Sequence, residues 1–177
     1  RTQAAKNCIT LDMGGTTAKA SIVENGEVSR TGDYEVGAGI NLASKLVMGG
    51  GYALKLPVID ISEIGAGGGS IVSVDRGGLV KVGPQSAGAF PGPACYNLGG
   101  TDPTFTDAAL ALGFINPQHL VGGTLELDST KALTSLKKNI ATPLGKSLQE
   151  TCWGIFEIAC GSMVRAVKAV STYRGRD

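Results

Sequence analysis

Apolar and polar side chains alternate through the first part of the chain, which predicts β-structure. Ile9 and Leu11 stand two apart in a strand over residues 8–11, and a second strand is expected over 20–23. Between them lies Asp12-Met13-Gly14-Gly15-Thr16-Thr17, a run of turn formers. Asn25-Gly26 is a two-residue hairpin signal, because both central residues of such a turn need positive φ. A third strand is expected over 27–36. Residues 7–36 then form three antiparallel strands with the Gly-Gly-Thr turn at one end.

Further on, residues 37–51 are glycine-rich around a short apolar stretch, 42–48. A buried strand is expected over 58–61. A second hairpin joins 71–74 to 79–82 through Asp75-Arg76-Gly77-Gly78. Pro84, Pro91, Pro93 and Pro103 mark residues 83–105 as an ordered loop or lid. A short helix is predicted over 108–112 with Thr106 as its N-cap. The last third reads as helical. One helix covers 129–139, with Leu133 and Leu136 as core candidates. Ser147-Leu148-Gln149-Glu150 is a capping box that opens a helix running to about Tyr173. Its apolar positions (Cys152, Ile155, Phe156, Ala159, Met163, Ala166, Val170 among them) recur every three or four residues, the mark of a core-facing helix. The fold class is therefore α/β, an antiparallel β-meander followed by helices.

Composition narrows the function classes. The chain has 177 residues, enough for one domain or a piece of a larger one. Sixteen basic residues against fifteen acidic ones offer no field for nucleic acid or an anionic membrane. No apolar run reaches the length of a membrane span. Cys8, Cys95, Cys152 and Cys160 show no C-x-x-C spacing, and His119 is the sole histidine, so a zinc site is not expected. Four reduced, mostly buried thiols fit a cytoplasmic protein. Cys95, in a Pro-Gly-Pro-Ala-Cys loop, is the one that could be exposed; His119 reads as a solvated loop residue. The chain starts without a methionine and stops just past a long helix, so both ends look like cuts in a longer chain.

The chemistry-bearing candidates cluster on glycine. Asp12-Met13-Gly14-Gly15-Thr16-Thr17 lies between two strands, which excludes the Rossmann and Walker readings, since those need a helix after the glycines. Two readings remain. In one, successive backbone N–H groups form a concave phosphate site, with Thr16 and Thr17 hydroxyls as extra donors and Asp12 holding a Mg²⁺-bound water. In the other it is a plain β-turn. Gly65 to Ser70 is either a second backbone-lined anion or substrate loop or a bulged connection. Asp107, at a helix start, is either a capping carboxylate or a metal ligand. Glu63 beside the glycine run is a further candidate.

Asp-x-Gly-Gly-Thr between antiparallel strands resembles a phosphate loop of the actin-like ATPase superfamily, whose domains have a ribonuclease H-like fold. Three further runs narrow the resemblance: Asp60-Ile61-Ser62-Glu63-Ile64-Gly65-Ala66-Gly67-Gly68-Gly69-Ser70-Ile71, the segment from Val82-Gly83-Pro84-Gln85 to Pro93-Ala94-Cys95-Tyr96, and Gly99-Gly100-Thr101-Asp102-Pro103-Thr104-Phe105-Thr106-Asp107-Ala108. They are similar, in order, to segments of the hydantoinase A/5-oxoprolinase/acetone carboxylase β-subunit family, over nearly the whole chain.

The resemblance implies an enzyme that uses ATP and Mg²⁺ to open a small cyclic amide of the hydantoin or 5-oxoproline type by phosphorylating the amide oxygen. It implies that residues 1–177 are the central part of the catalytic domain, holding the second phosphate loop. The first phosphate loop would precede it and an adenosine loop would follow. Gly14, Gly15, Thr16, Thr17 and Lys19 are then expected at phosphate, and Gly67, Gly68, Gly69 and Ser70 on the cleft wall. Asp12 is the catalytic and Mg²⁺-positioning residue, with Asp107 a second metal candidate. Lys19 stands where the family often has an acidic residue, so it either contacts phosphate as a point charge or faces solvent. A hydantoinase B-type partner subunit or domain is also implied. A ketone carboxylase subunit and a non-catalytic structural or binding subunit are the alternatives.

Overall fold

The computed structural model describes residues 5–32, 34–36, 52–118, 120 and 123–176. The 42–48 stretch and His119 lie outside the described residues. The chain divides into two compact units. One comprises Arg1–Met13, Thr17–Ile64 and Ser162–Asp177; the other comprises Gly14–Thr16 and Gly65–Gly161.

In the first unit, β1 (Cys8–Met13) and β2 (Ala18–Glu24) pair antiparallel from Cys8↔Val23 to Met13↔Ala18. Asn25 and Gly26 both take positive φ, 54° and 83°, as the hairpin signal requires. The expected third strand is broken. Its residues form β3 (Glu27–Val28), β4 (Arg30–Thr31) and β5 (Tyr34–Val36), which pair with β2, with β7 (Val58–Ile59) and with β6 (Tyr52–Leu54) respectively. Ser29 sits at the change of partner: its N–H donates to Ile22 O and its carbonyl accepts from Asp60 N–H. Alternation of side chains cannot reveal such a switch, because each piece keeps the same period.

β8 (Ile61–Ile64) adds to the other side of β2. The strand expected over 58–61 is thus two strands, and it is not buried through its apolar residues. Ile59 and Ile61 are exposed, while Asp60 and Ser62 face inward. Asp60 is tolerated there because Arg174 grips both its oxygens, Nη2 donating to Oδ1 at 3.2 Å and Nη1 to Oδ2.

In the second unit, β9 (Ser70–Val74) and β10 (Val80–Ser86) form the expected hairpin, with Asp75 closing its turn by accepting from Gly77 and Leu79 N–H. The first helix, α1 (Phe105–Ala111), begins three residues earlier than expected. Its N-cap is Thr104, not Thr106, because Thr104 and Asp107 close a reciprocal capping box. Next come α2 (Ser129–Leu136), a π-turn over Lys137–Ala141 and α3 (Thr142–Leu144). Of the two leucines expected in the core, Leu136 is fully buried and Leu133 is exposed.

The long helix α4 (Leu148–Val170) opens with the expected capping box. Ser147 N–H donates to Glu150 Oε2 at 3.1 Å, and Glu150 N–H to Ser147 Oγ at 3.3 Å. Cys152, Ile155 and Ala159 of α4 join Val72, Phe105, Ala108, Leu136 and Ile140 in the core of the second unit. Its last turns supply Ala166 and Val170, which cover Ala20 in the first unit. No helix among the described residues is long and apolar enough to cross a membrane.

All four cysteines are free thiols; Cys8 is exposed, Cys95 and Cys152 are buried and Cys160 is half-buried. Cys95 is therefore not the exposed thiol of its loop. Burial, with the nearby Asp107 charge, pushes its pKa far up, and burial raises that of Cys152 to about 11.

Candidate functional site

The Gly-Gly-Thr turn is shaped by the glycine run that follows β8. Gly68 N–H donates to Gly14 O at 2.9 Å, and Gly69 N–H donates to Gly15 O at 2.6 Å. A trans peptide points its C=O and N–H in opposite directions. With both carbonyls held by the glycine run, the N–H groups of Gly15 and Thr16 face the other way, side by side. Among the described residues neither has a hydrogen-bond acceptor. Gly14, Gly15 and Thr16 are exposed, and a Cβ built on Gly15 meets nothing within 4 Å. Two parallel, unengaged donors on an open turn make an anion seat of the kind that successive backbone amides form. The residues present thus fit a phosphate group.

The same geometry engages the amides of Gly67 to Ser70, in the stretch read as a second anion or substrate loop or a bulged connection. Gly67 N–H donates to Ser70 Oγ, Gly68 and Gly69 N–H to the turn, and Ser70 N–H to Gly67 O. The four amides that an anion would need are all engaged internally. Gly67, Gly69 and Ser70 are buried. Glycine is required here for close approach. A Cβ on Gly67 would lie 2.6 Å from Thr16 N and 2.7 Å from Gly14 O.

Asp12, Lys19 and Glu63 form a row across three strands. Asp12 is the register partner of Lys19 on β2, and Lys19 is that of Glu63 on β8. Lys19 Nζ lies 3.9 Å from Glu63 Oε1, an open ion pair with half the lysine side chain in water. The sequence flagged these three separately; the sheet register brings them together. Thr17 is half-buried and ends the turn.

Asp107 has a different place. It is fully buried and accepts four hydrogen bonds: from Ala94 N–H, Cys95 N–H, Thr104 N–H and the Thr104 hydroxyl, at 2.8 to 3.3 Å. Of the two readings of Asp107, this geometry carries the capping one and ties the Pro-rich loop to α1. Among the described residues no three His, Cys, Asp or Glu side chains gather as a metal cluster.

Two features escaped the sequence reading. Thr106, expected as a cap, donates from both N–H (2.9 Å) and Oγ1 (2.8 Å) to Gly68 O. A groove of 740 Å³, lined by Thr101, Asp102, Lys131, Ser135 and Lys138 among others, contains none of the expected site residues.

Comparison with known proteins adds to this geometry. A family model described as hydantoinase/oxoprolinase matches residues 1–177. An uncharacterised protein of Methanocaldococcus jannaschii is 44% identical over 169 residues, 96% of this chain and 24% of that protein. The caprolactamase subunit alpha of Pseudomonas jessenii is 39% identical over 171 residues, 97% of this chain and 23% of that protein. The nucleotide-free structure of acetone carboxylase, solved in work on ATP-dependent acetone carboxylation, superposes with a TM-score of 0.79 at 26% identity, over 97% of this chain and 22% of that one. The chain spans about a quarter of the length of these relatives.

Proposed function

The chain belongs to the hydantoinase/oxoprolinase family, and from that premise we propose that it is the central part of an ATP-dependent hydrolase that opens a small cyclic amide. The observation that carries this reading is the pair of unengaged N–H groups of Gly15 and Thr16, held outward by the glycine run. The likeness to a caprolactamase subunit supports a lactam as the substrate class. Hydantoins and 5-oxoproline are the five-membered rings of the same chemistry.

A ring amide is a poor electrophile. Transfer of the γ-phosphoryl group of ATP to the amide oxygen, with ADP leaving, activates the carbon. Water adds there, the C–N bond breaks with the protonated nitrogen leaving as the amine, and a second water hydrolyses the acyl phosphate to carboxylate and phosphate. The task of this chain's residues is positioning and charge neutralisation around the phosphates. Gly15 and Thr16 N–H would hold phosphate oxygens, with the Thr16 and Thr17 hydroxyls beside them. Asp12, at the end of β1, would position Mg²⁺ or its water. Lys19, in register with Asp12 and ion-paired with Glu63, would offer its ammonium to phosphate as a point charge. Asp107 stays outside metal binding in this reading, because its carboxylate is fully buried and accepts four hydrogen bonds from backbone and Thr104. A partner subunit is in keeping with the relative's designation as a subunit, and free thiols suit a cytoplasmic setting.

The likeness to acetone carboxylase favours a second reading, ATP-driven ketone carboxylation. The test is ADP release by the full-length protein with Mg²⁺ and ATP, given 5-oxoproline, hydantoins, caprolactam, or ketones with bicarbonate. Stimulation by a cyclic amide, abolished by Gly14→Asp, is the expected result. Stimulation only by a ketone with bicarbonate moves the function to carboxylation. Silence throughout, with the partner subunit added, leaves a structural or binding subunit.

A further inference from the structure

The hydrogen bonds behind the Gly-Gly-Thr turn continue as two unbroken files of peptide groups. In the first, the Thr106 hydroxyl and N–H both donate to Gly68 O. The same peptide carries Gly69 N–H, which donates to Gly15 O, and the Gly15 peptide carries Thr16 N–H. In the second, Ala87 N–H donates to Gly69 O at 2.8 Å, and that peptide's Ser70 N–H donates to Gly67 O at 3.1 Å. The Gly67 peptide carries Gly68 N–H, which donates to Gly14 O, and the Gly14 peptide ends in Gly15 N–H. Each file therefore terminates on one of the two unengaged amides.

Planar trans peptides make this arrangement directional. Fixing one C=O fixes the N–H on its far side, and that N–H fixes the next C=O. Donors aligned head to tail also polarise one another, so the last N–H becomes a stronger donor than an isolated amide. The Thr106 side chain is buried and sits at the head of the first file.

We propose that Thr106 is a positioning residue for phosphate binding: its hydroxyl, acting through the Gly68–Gly69 and Gly15–Thr16 peptides, aims and polarises the Thr16 N–H. The proposal rests on the turn being the phosphate site. It gives the glycine run a purpose other than contact with ligand. Only residues without Cβ bring peptides close enough to the turn to continue the files. It also gives the start of α1 a route to the site through backbone groups.

The test compares ATP-dependent turnover and ATP binding in the full-length protein for four variants. Thr106→Val keeps the shape and removes the hydroxyl donor; it should raise KM and Kd for ATP about fivefold, the scale of one buried hydrogen bond, with a smaller change in kcat. Thr106→Ser should restore both. Thr151→Val removes an equivalent hydroxyl-to-carbonyl bond at the start of α4, from Thr151 Oγ1 to Ser147 O, and should leave ATP affinity unchanged. In amide spectra of the free protein, Thr106→Val should shift the Thr16 N–H upfield, which a loss of stability alone does not produce. Gly14→Asp tests the turn itself. Loss of ATP binding in Gly14→Asp, with Thr106→Val matching the native protein or Thr151→Val equally affected, overturns the relay and leaves the phosphate site standing. Native ATP binding in Gly14→Asp overturns the phosphate site and the relay with it.

Discussion

A methyl group added at Gly67 would fall among the backbone atoms of Gly14, Gly15 and Thr16, none of which can swing aside as a side chain would. Gly67→Ala is thus expected to displace the turn, weakening ATP binding by at least the factor expected for Thr106→Val and lowering the melting temperature. Gly15→Ala, by contrast, meets open space and should fold normally while still impairing nucleotide binding. Measuring both quantities for both variants separates close packing from ligand access. Asp107 sets a third case at this scale. Asp107→Ala leaves four donors without an acceptor in a dry environment and should cost about 3 kcal/mol in urea unfolding. Read as a sequence, Gly14-Gly15 announced a turn plainly, since few other residues suit one. The engagement of Gly67 to Ser70 was not legible there. An open anion loop and a run docked against another loop call for the same glycines, and only the partners tell them apart.

Among the elements, α4 shows best what periodicity can carry. Its capping box and buried stripe stand where the pattern put them, because one long helix with one apolar face has a single register. The helix end has a pH signature. Hydrogen bonds from the Ser147 hydroxyl and N–H hold the Glu150 pKa below its ordinary value. A depressed carboxylate contributes stability above its unfolded pKa and loses it as pH falls through the folded one. Glu150→Gln should therefore melt lower than the native chain at neutral pH. The gap should close as pH drops below the ordinary glutamate range; a gap that persists in acid would contradict the cap. Other elements were less legible. Leu133 and Leu136 both suited a helix face, yet Leu136 packs in the core cluster with Ile140 of the π-turn while Leu133 is exposed. The strand after Asn25-Gly26 was foreseen as continuous, and its exchange of partners at Ser29 depends on residues 52–59, which no local pattern connects to it.

For the molecule as a whole, the links that matter join residues far apart in sequence. Asp60 and Arg174 are 114 positions apart and close the first unit through a two-point ion pair, buried at Asp60 and half-buried at Arg174. Removing one partner of such a pair leaves a charge in a dry site, so Arg174→Ala should destabilise this unit by about 3 kcal/mol. Hydrogen exchange at β8 amides, faster in the variant with α2 amides unchanged, is the expected signature. The family was legible from short motifs because those motifs are the turns and docked loops of the site. The architecture around them took longer-range pairing to specify.

The burial of the cysteines makes the chain its own stopwatch. Cys8 lies in water and will take up an alkylating reagent at once. Cys95 and Cys152 sit in the cores of the second unit as protonated thiols and can react only when that unit opens. Mass spectrometry counts added groups one by one. The delay between the first increment and the ones that belong to Cys95 and Cys152 then measures how often the unit that holds the glycine files comes apart, without any tag or dye.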